Sequence, residues 1–148
     1  MGSLFDFVKD AGEKLWDSVS GKSEDKAEKL KEHLKKMGLP GSDKVDIKVD
    51  DDKVIIGGET ADQSIKEKIR VILGNVASIG KVEDNVTAAK PDEEGNFYTV
   101  KNGDTLSAIA KSQYGDANKY MQIFEANKPM LSHPDKIYPG QVLRIPKI

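Results

Sequence analysis

Residues 98–110 of this chain read YTVKNGDTLSAIA, and they decide the fold expected for its C-terminal part. A strand at 97–100 runs into a turn at 102–104, where glycine supplies the backbone freedom that such a turn needs. Asp104 or Thr105 then caps a helix whose apolar side chains recur at helical spacing. This stretch therefore predicts a strand, a tight turn and a helix in direct succession.

The residues that follow complete a small βααβ unit. Tyr114-Gly115-Asp116 predicts the end of the first helix, and a second helix is expected over 118–127. Apolar residues within 141–145 predict a closing strand. The unit of about 50 residues is near the lower size limit for a domain that folds independently.

The segment before this unit predicts a separate α+β domain. Apolar and polar residues alternate over 45–49, as in a half-buried strand, and 54–56 predicts its return strand. A helix is expected to begin at a cap at Thr60 or Asp62 and to end near Gly74. We therefore expect helices packed on a small antiparallel or mixed sheet.

Two further helices are expected ahead of this sheet. Apolar residues between Leu4 and Val19 recur near the 3.6-residue period, which predicts an N-terminal amphipathic helix. Ser23 is expected to cap a second helix, which Gly38 ends.

The polar run KPDEEGN at 90–96 contains proline and glycine but no apolar residue, so it predicts a linker. The expected α+β organisation is an N-terminal amphipathic helix (1–22), a first domain (23–89), a linker (90–96) and the βααβ domain (97–148).

The composition excludes several classes of protein. The 148 residues contain no cysteine, which excludes a disulfide scaffold and thiolate metal sites. No apolar stretch approaches the roughly 18 residues that a membrane span requires, and the N-terminus lacks the apolar region of a signal peptide. We therefore expect a cytoplasmic protein that does not insert into membranes.

Charge is distributed unevenly along the chain. Residues 1–95 carry 16 Lys and Arg against 21 Asp and Glu, whereas residues 96–148 carry 7 against 4. The acidic first part lacks the basic face of a nucleic-acid-binding protein, so no nucleic acid is expected as a partner. The opposite net charges favour a weak attraction between the two parts.

The sequence carries no motif of nucleophilic, metal-dependent or nucleotide-dependent catalysis. We therefore expect a protein that is not an enzyme. We also expect it to be a monomer.

Three blocks in the C-terminal unit closely resemble a LysM domain: 98–110, IFEAN at 123–127 and PDKIYPGQVLRIP at 134–146. The resemblance implies binding of glycans that contain N-acetylglucosamine, such as a peptidoglycan fragment or chitin. The implied groove lies between the loop after the first strand and the loop before the second. Its implied residues are Gly103, Asp104, Thr105, Leu106, Asn127, Asp135 and Ile137.

The preceding domain resembles a BON domain at VIIGG (54–58) and IGKV (79–82). With the N-terminal FVKDAGEKLW at 7–16, nearly the whole chain resembles the small cytoplasmic potassium-binding BON–LysM proteins (the Kbp family). This resemblance implies a K⁺ sensor. One ion would bind in the BON region, stabilise the protein and strengthen an intramolecular contact between the BON and LysM domains.

The resemblance also implies where the ion binds. Rings of backbone carbonyls suit K⁺, and carbonyls at a helix end lack intrahelical partners. The run GNVASIG at 74–80 is such a helix end, and residues 8–12 are the expected opposing wall. The carbonyls assigned to K⁺ in this way are those of Val8, Ala11, Gly74, Val76 and Ile79.

Two other functions stay open at this stage. The LysM resemblance alone favours a peptidoglycan-binding adaptor, against which the missing export signal counts. The other alternative is a structural stress protein that acts through partner contacts without a small ligand. Stabilisation by K⁺ but not Na⁺ would distinguish the sensor from both.

Overall fold

The computed structural model describes residues 3–8, 12, 23–39, 41–76, 79–90, 95–128 and 130–146. These residues form a five-stranded sheet and a two-stranded sheet with helices packed against both, which confirms the α+β class. No helix in these ranges is long and apolar enough to cross a membrane. In chain order the elements are β1 (Ser3–Asp6), α1 (Ser23–Lys36), β2 (Val45–Asp50), β3 (Lys53–Asp62), α2 (Gln63–Gly74), β4 (Lys81–Asp84), β5 (Thr87–Lys90), β6 (Asn96–Thr99), α3 (Leu106–Tyr114), α4 (Tyr120–Ala126) and β7 (Val142–Ile145).

The β2–β3 hairpin is the element that the sequence pattern predicts most directly. The strands are antiparallel, with Ile47 opposite Ile56 and Val49 opposite Val54. These side chains are buried, and the polar residues of β2 alternate with them on the exposed face. The alternation places one face of the hairpin in the core.

β3 extends beyond the predicted return strand and joins the sheet together. It continues through Gly57-Gly58 and pairs in parallel with β4 and β5. Gly58 has φ +104°, and a Cβ added to it would lie 2.3 Å from the Lys44 carbonyl oxygen. Glycine therefore allows the strand to pass the preceding turn closely. Because β3 pairs antiparallel with β2 and parallel with β4 and β5, the sheet is mixed.

The N-terminal segment begins as a strand, so the predicted amphipathic helix is wrong for Ser3–Asp6. β1 pairs antiparallel with β4, and Phe5 lies opposite Val82. Phe7 is buried whereas Leu4 is exposed, as a two-residue period requires. Backbone pairing with β4 and burial of one face outweigh the helical spacing of the apolar residues. The rest of the predicted helix, at 9–11 and 13–22, lies outside the described residues.

α2 lies between the larger sheet and β7. Of its two candidate caps, Asp62 is the N-cap, and its carboxylate accepts a hydrogen bond from the Ile65 amide at 2.9 Å. The helix ends at Gly74, and its last six residues are all buried. They are buried all round because α2 contacts β3 and β4 on one side and β7 on the other.

Residues 95–146 form the predicted βααβ unit. β6 and β7 are antiparallel, with Tyr98 opposite Leu143. Thr105 caps α3 by accepting a hydrogen bond from the Ala108 amide at 3.1 Å, and Gly115 ends α3 in the left-handed conformation. Ile123 of α4 joins Leu143 in the small core of this unit.

Candidate functional site

The loop from Gly74 to Gly80, hereafter the 74–80 loop, follows the C-terminus of α2. Ala77 and Ser78 lie outside the described residues, and the others are all buried. The Asn75 amide donates to the Val71 carbonyl at 3.0 Å, which closes the helix. The last carbonyls of a helix lack intrahelical partners and carry the negative end of its dipole. The described residues of the loop therefore place backbone carbonyls in a largely buried setting.

The N-terminal segment packs closely against this loop. The Phe7 amide donates to the Gly80 carbonyl at 2.8 Å. A Cβ added to Gly74 would lie 2.2 Å from two ring carbons of Phe7, so the ring rests on the Gly74 α-carbon. Gly12 has φ +98°, and a Cβ there would lie 2.5 Å from the Asn75 carbonyl oxygen. Glycine at both positions permits an approach that any side chain would block.

Four of the five residues assigned to K⁺ fall within the described residues. Gly74, Val76 and Ile79 lie together in the buried loop, and Val8 follows the Phe7 that packs on it. Ala11 lies outside the described residues. The Val76 carbonyl accepts a hydrogen bond from the Ile79 amide at 3.1 Å, but a carbonyl oxygen has two lone pairs. The assignment of these carbonyls to an ion stays a prediction.

Neutral backbone oxygens are the kind of ligand that suits a large monovalent cation. K⁺ exchanges its hydration shell for carbonyl oxygens without needing a carboxylate. Among the residues that the structure describes, no group of three or more His, Cys, Asp and Glu side chains is placed to hold a metal ion.

Asn75, which sequence reasoning did not single out, connects the 74–80 loop to β7. Its side-chain Nδ2 donates to the Val142 carbonyl at 2.7 Å, and the Val142 amide donates to Asn75 Oδ1 at 2.8 Å. The same Nδ2 lies 3.3 Å from the Met130 sulfur. Asparagine after a glycine at a helix end is so common that its sequence gives no signal of this role.

A buried ion pair connects the middle of α2 to the same strand. Arg144 Nε donates to Glu67 Oε1 at 2.6 Å, while Gln63 and the Gly95 amide donate to Oε2 at 2.8 and 3.0 Å. Burial raises the pKa of Glu67, but the hydrogen bonds from Gln63, Arg144 and Gly95 together lower it below its ordinary value of 4.5. Glu67 is therefore a carboxylate at neutral pH.

Arg70 is the point where the N-terminal strand, α2 and β6 meet. Its Nε donates to Asp84 at 2.8 Å, and both side chains are almost completely buried. Its guanidinium carbon lies 3.7 Å from the ring centroid of Phe5 and 4.8 Å from that of Phe97. These cation–π contacts hold the two rings on one charged group.

A cleft of about 290 Å³ separates α1 from the loop after α4 and reaches the 74–80 loop. Gly12, Asn75 and Lys136 are among its lining residues. Gln141 also lines it, and its buried Oε1 has no hydrogen-bond partner among the described residues. The cleft gives solvent a route to the vicinity of the loop.

Comparison with known proteins identifies both parts of this arrangement. The BON domain family model matches residues 23–90, and the LysM domain family model matches residues 98–146. The chain is 58% identical over 146 residues to the potassium binding protein Kbp of Escherichia coli O6:H1. The aligned residues cover 97% of this chain and 98% of that protein. The chain belongs to the Kbp family.

Two other relatives match shorter stretches. An uncharacterized protein of Deinococcus radiodurans is 50% identical over 58 residues, which are 38% of this chain and 22% of that protein. The uncharacterized protein YqbP of Bacillus subtilis is 41% identical over 59 residues, which are 34% of this chain and 27% of that protein. The shared length in each case is close to that of one domain of this Kbp family member.

Several of the implied glycan residues have roles within the LysM domain itself. The Asp104 carboxylate accepts hydrogen bonds from the Tyr98 hydroxyl at 2.6 Å and the Lys101 amide at 2.8 Å. The bond from Tyr98 lowers the pKa of Asp104. Thr105 is the cap of α3, and Leu106 is buried in the core.

Asn127 is likewise occupied. Its Nδ2 donates to the carbonyls of Ile123 at 2.7 Å and Arg144 at 2.9 Å, and the Arg144 amide donates to its Oδ1 at 2.7 Å. Gly103 and Asp135 are exposed, and Ile137 is partly buried. The exposed residues of the predicted groove are therefore Gly103, Thr105 and Asp135, and Asp104 and Ile137 are partly exposed.

Proposed function

We propose that this chain binds one K⁺ ion between the 74–80 loop and the N-terminal segment, and that it acts in the cytoplasm by binding rather than by catalysis. The proposed ligands are the backbone carbonyls of Val8, Ala11, Gly74, Val76 and Ile79. The relative that matches 97% of this chain is named for potassium binding, which supports the choice of ion.

The observation that carries the proposal is the packing of Phe7 and Gly12 on the loop. Gly74 leaves room for the Phe7 ring, and Gly12 lets its own backbone lie closer to the Asn75 carbonyl than a residue with a side chain could. Close backbone segments can direct several carbonyl oxygens toward one point, as a dehydrated K⁺ requires.

We also propose that K⁺ strengthens the docking of the LysM domain on the BON domain, so that the protein acts as a K⁺ sensor. The 74–80 loop is continuous with α2, which contacts β7 through the Glu67–Arg144 pair. The acidic first part and the basic second part of the chain favour the same association.

Thermal unfolding in KCl and NaCl at equal ionic strength, after exhaustive dialysis, tests the ion proposal. General screening is the same in both salts, so a difference reports selective binding. At a K⁺ concentration about 100 times Kd, binding raises the free energy of unfolding by about 2.7 kcal/mol. For a chain of this size that corresponds to a rise in Tm of roughly 5–10 °C. Identical unfolding curves in the two salts would overturn the proposal.

The match to the LysM family model favours glycan binding as a second candidate function. An N-acetylglucosamine oligomer titrated into the labelled protein should then shift the amide resonances of Gly103 and Asp135 and leave those of the BON domain unchanged. Unchanged resonances at both residues would overturn this candidate. Neither result depends on whether K⁺ binds.

A further inference from the structure

We infer that the side-chain amide of Asn75 couples K⁺ at the 74–80 loop to docking of the LysM domain. The inference rests on the proposed K⁺ function and names the group through which that function is transmitted. In this role Asn75 is a positioning residue, because its side chain contacts β7 and not the ion.

The contact between Asn75 and Val142 is specific for an asparagine side chain. One amide both donates to and accepts from the backbone of a single residue, at 2.7 and 2.8 Å, as a neighbouring strand would. Asn75 is 8% exposed and Val142 is 5% exposed, so both bonds are largely shielded from water. Loss of the amide would leave the N–H and C=O groups of Val142 buried without their partners, which is costly.

The backbone of Asn75 belongs to the proposed ion site. Its neighbours in sequence are Gly74 and Val76, and the carbonyls of both are proposed ligands. An ion that holds those two carbonyls fixes the peptide unit before the Asn75 α-carbon directly, and it fixes the peptide unit after the Val76 α-carbon. The Asn75–Val76 backbone between these two held points is restrained as well, and this limits the directions in which the Asn75 side chain can leave the backbone.

Ion binding and docking therefore share one ordering cost. An unliganded loop must lose conformational freedom before Asn75 can meet Val142, whereas an ion-bound loop has already lost it. By linkage, a docked LysM domain must increase K⁺ affinity by the same factor by which K⁺ favours docking.

The Glu67–Arg144 pair provides a contrast within the same interface. Glu67 lies seven residues before Gly74, about two helical turns away from the loop, on a helix whose backbone is already hydrogen-bonded. This ion pair is expected to stabilise docking with or without K⁺. The pair adds affinity between the two domains but does not couple their docking to K⁺ binding.

The experiment compares the full chain with Asn75→Ala and Arg144→Gln during K⁺ titrations at constant ionic strength. Docking is followed by the radius of gyration in solution and by the amide resonance of Leu143. K⁺ affinity is followed by calorimetry. In the unsubstituted chain, K⁺ should compact the protein and shift the Leu143 resonance.

The two variants should behave differently. Arg144→Gln should be less docked without K⁺ but should still compact when K⁺ is added. Asn75→Ala should bind K⁺ with an affinity lower by a factor of roughly 5–150, the usual range of coupling between sites. It should show no K⁺-dependent compaction. Asn75→Asp keeps the acceptor for the Val142 amide but loses the donor, and a partial response is expected.

Two results would overturn the inference. Normal K⁺-dependent compaction in both Asn75→Ala and Asn75→Asp would show that the coupling runs elsewhere. An Arg144→Gln variant that binds K⁺ but loses its compaction as completely as Asn75→Ala would show that any weakening of the interface has the same effect. Failure of the unsubstituted chain to bind K⁺ is a separate result, which would overturn the proposed function together with this inference.

Discussion

Arg144 Nε lies 2.6 Å from Glu67 Oε1, and this ion pair joins β7 of the LysM domain to the middle of α2 in the BON domain. The Glu67 side chain is fully buried and that of Arg144 is 13% exposed. Three donors satisfy the carboxylate, so its burial is compensated within the folded protein. The association of the two domains thus includes a charge that neither domain could bury alone.

Arg144→Gln should weaken the interface because it leaves the Glu67 carboxylate buried without its counter-charge. Removal of one partner from a buried pair costs about 3–5 kcal/mol. We expect a loss near the lower value, since Arg144 keeps some exposure and glutamine can still donate a hydrogen bond. Urea unfolding measures the loss. The control is Lys128→Gln, which removes an exposed pair with Glu125 and a cation–π contact with Phe124 and should cost less than about 1 kcal/mol. Equal losses in both variants would contradict the prediction.

The pH dependence of stability should carry the signature of Glu67. Hydrogen bonding lowers its pKa in the folded protein below the ordinary value of 4.5. A carboxyl with a lowered pKa contributes stability that is present above its unfolded pKa and is lost as pH falls through the folded pKa. The contribution should therefore be constant from pH 7 to about 5 and decline below about 4.5.

Urea midpoints between pH 3 and pH 7 measure this dependence. Glu67→Gln should flatten the decline below pH 4.5 and lower stability at neutral pH. The Asp104→Asn variant serves as the control. The pKa of Asp104 is also lowered, but from an ordinary value of 3.8, so the stability that Asp104 contributes is lost at a lower pH than that of Glu67, and the residue lies in the LysM domain. A decline of unchanged size in Glu67→Gln would exclude this carboxyl as the cause.

Gly12→Ala should push the backbone at residue 12 away from the 74–80 loop. The new Cβ would lie 2.5 Å from the Asn75 carbonyl oxygen, which belongs to the backbone and cannot move aside cheaply. We expect K⁺ affinity to fall at least tenfold, equivalent to about 1.4 kcal/mol. Calorimetric titration with K⁺ measures the change.

Gly38→Ala is the matched control for this substitution. Gly38 also has a positive φ, +71°, but a Cβ there meets nothing within 4 Å. Both variants carry the backbone strain of an alanine at positive φ, and only Gly12→Ala carries the collision. K⁺ affinities that fall equally would show that strain, rather than contact with the loop, is responsible.

The parts of the fold that were predicted correctly are those determined by local pattern. The alternation in β2 and the caps and stops of α2 and α3 are set by residues that lie next to one another in sequence. The strand β1 was missed because its partner β4 lies more than 70 residues away. Its short run of apolar residues is compatible with either period, and only tertiary pairing decides between them.

The candidate site shows the same division between local and long-range information. Gly74 indicates a helix end in the sequence, but no residue near it in the sequence indicates that Phe7 covers that glycine. The bonds of Asn75 to Val142 span 67 residues, and an asparagine at a helix end has a sufficient local explanation. Sites made of backbone oxygens leave no side-chain motif, so the ligand set came from the family resemblance.

Gly74→Ala should displace Phe7 and reduce stabilisation by K⁺. Its Cβ would lie 2.2 Å from two carbons of the Phe7 ring, so the ring and the N-terminal segment must move. Phe7→Ala alone should cost about 3–5 kcal/mol because a buried phenyl ring is lost. The double variant should be less destabilised than the sum of the two single variants, since the collision disappears with the ring.

The control for this pair is Gly57→Ala, where the new Cβ meets nothing within 4 Å. Free energies of unfolding for the unsubstituted chain, the two single variants and the double variant, measured with and without K⁺, complete the cycle. Additive losses from Gly74→Ala and Phe7→Ala would show that the two residues do not interact.

Asn127→Ala should unfold the LysM domain while the BON domain remains folded. The Asn127 side chain makes three hydrogen bonds, one to the Ile123 carbonyl in α4 and two to the backbone of Arg144 in β7, and each is worth about 1 kcal/mol net. A domain of about 50 residues has little stability to lose, so a reduction of roughly 3 kcal/mol should populate its unfolded state. Hydrogen exchange should then become fast in α3 and β7 and stay slow in β2 and β3.

Asn118→Ala, at an exposed position, is the control. Under the proposed linkage between docking and K⁺ binding, Asn127→Ala should also lower K⁺ affinity. Cooperative loss of protection in both domains would instead show that the interface makes them a single folding unit.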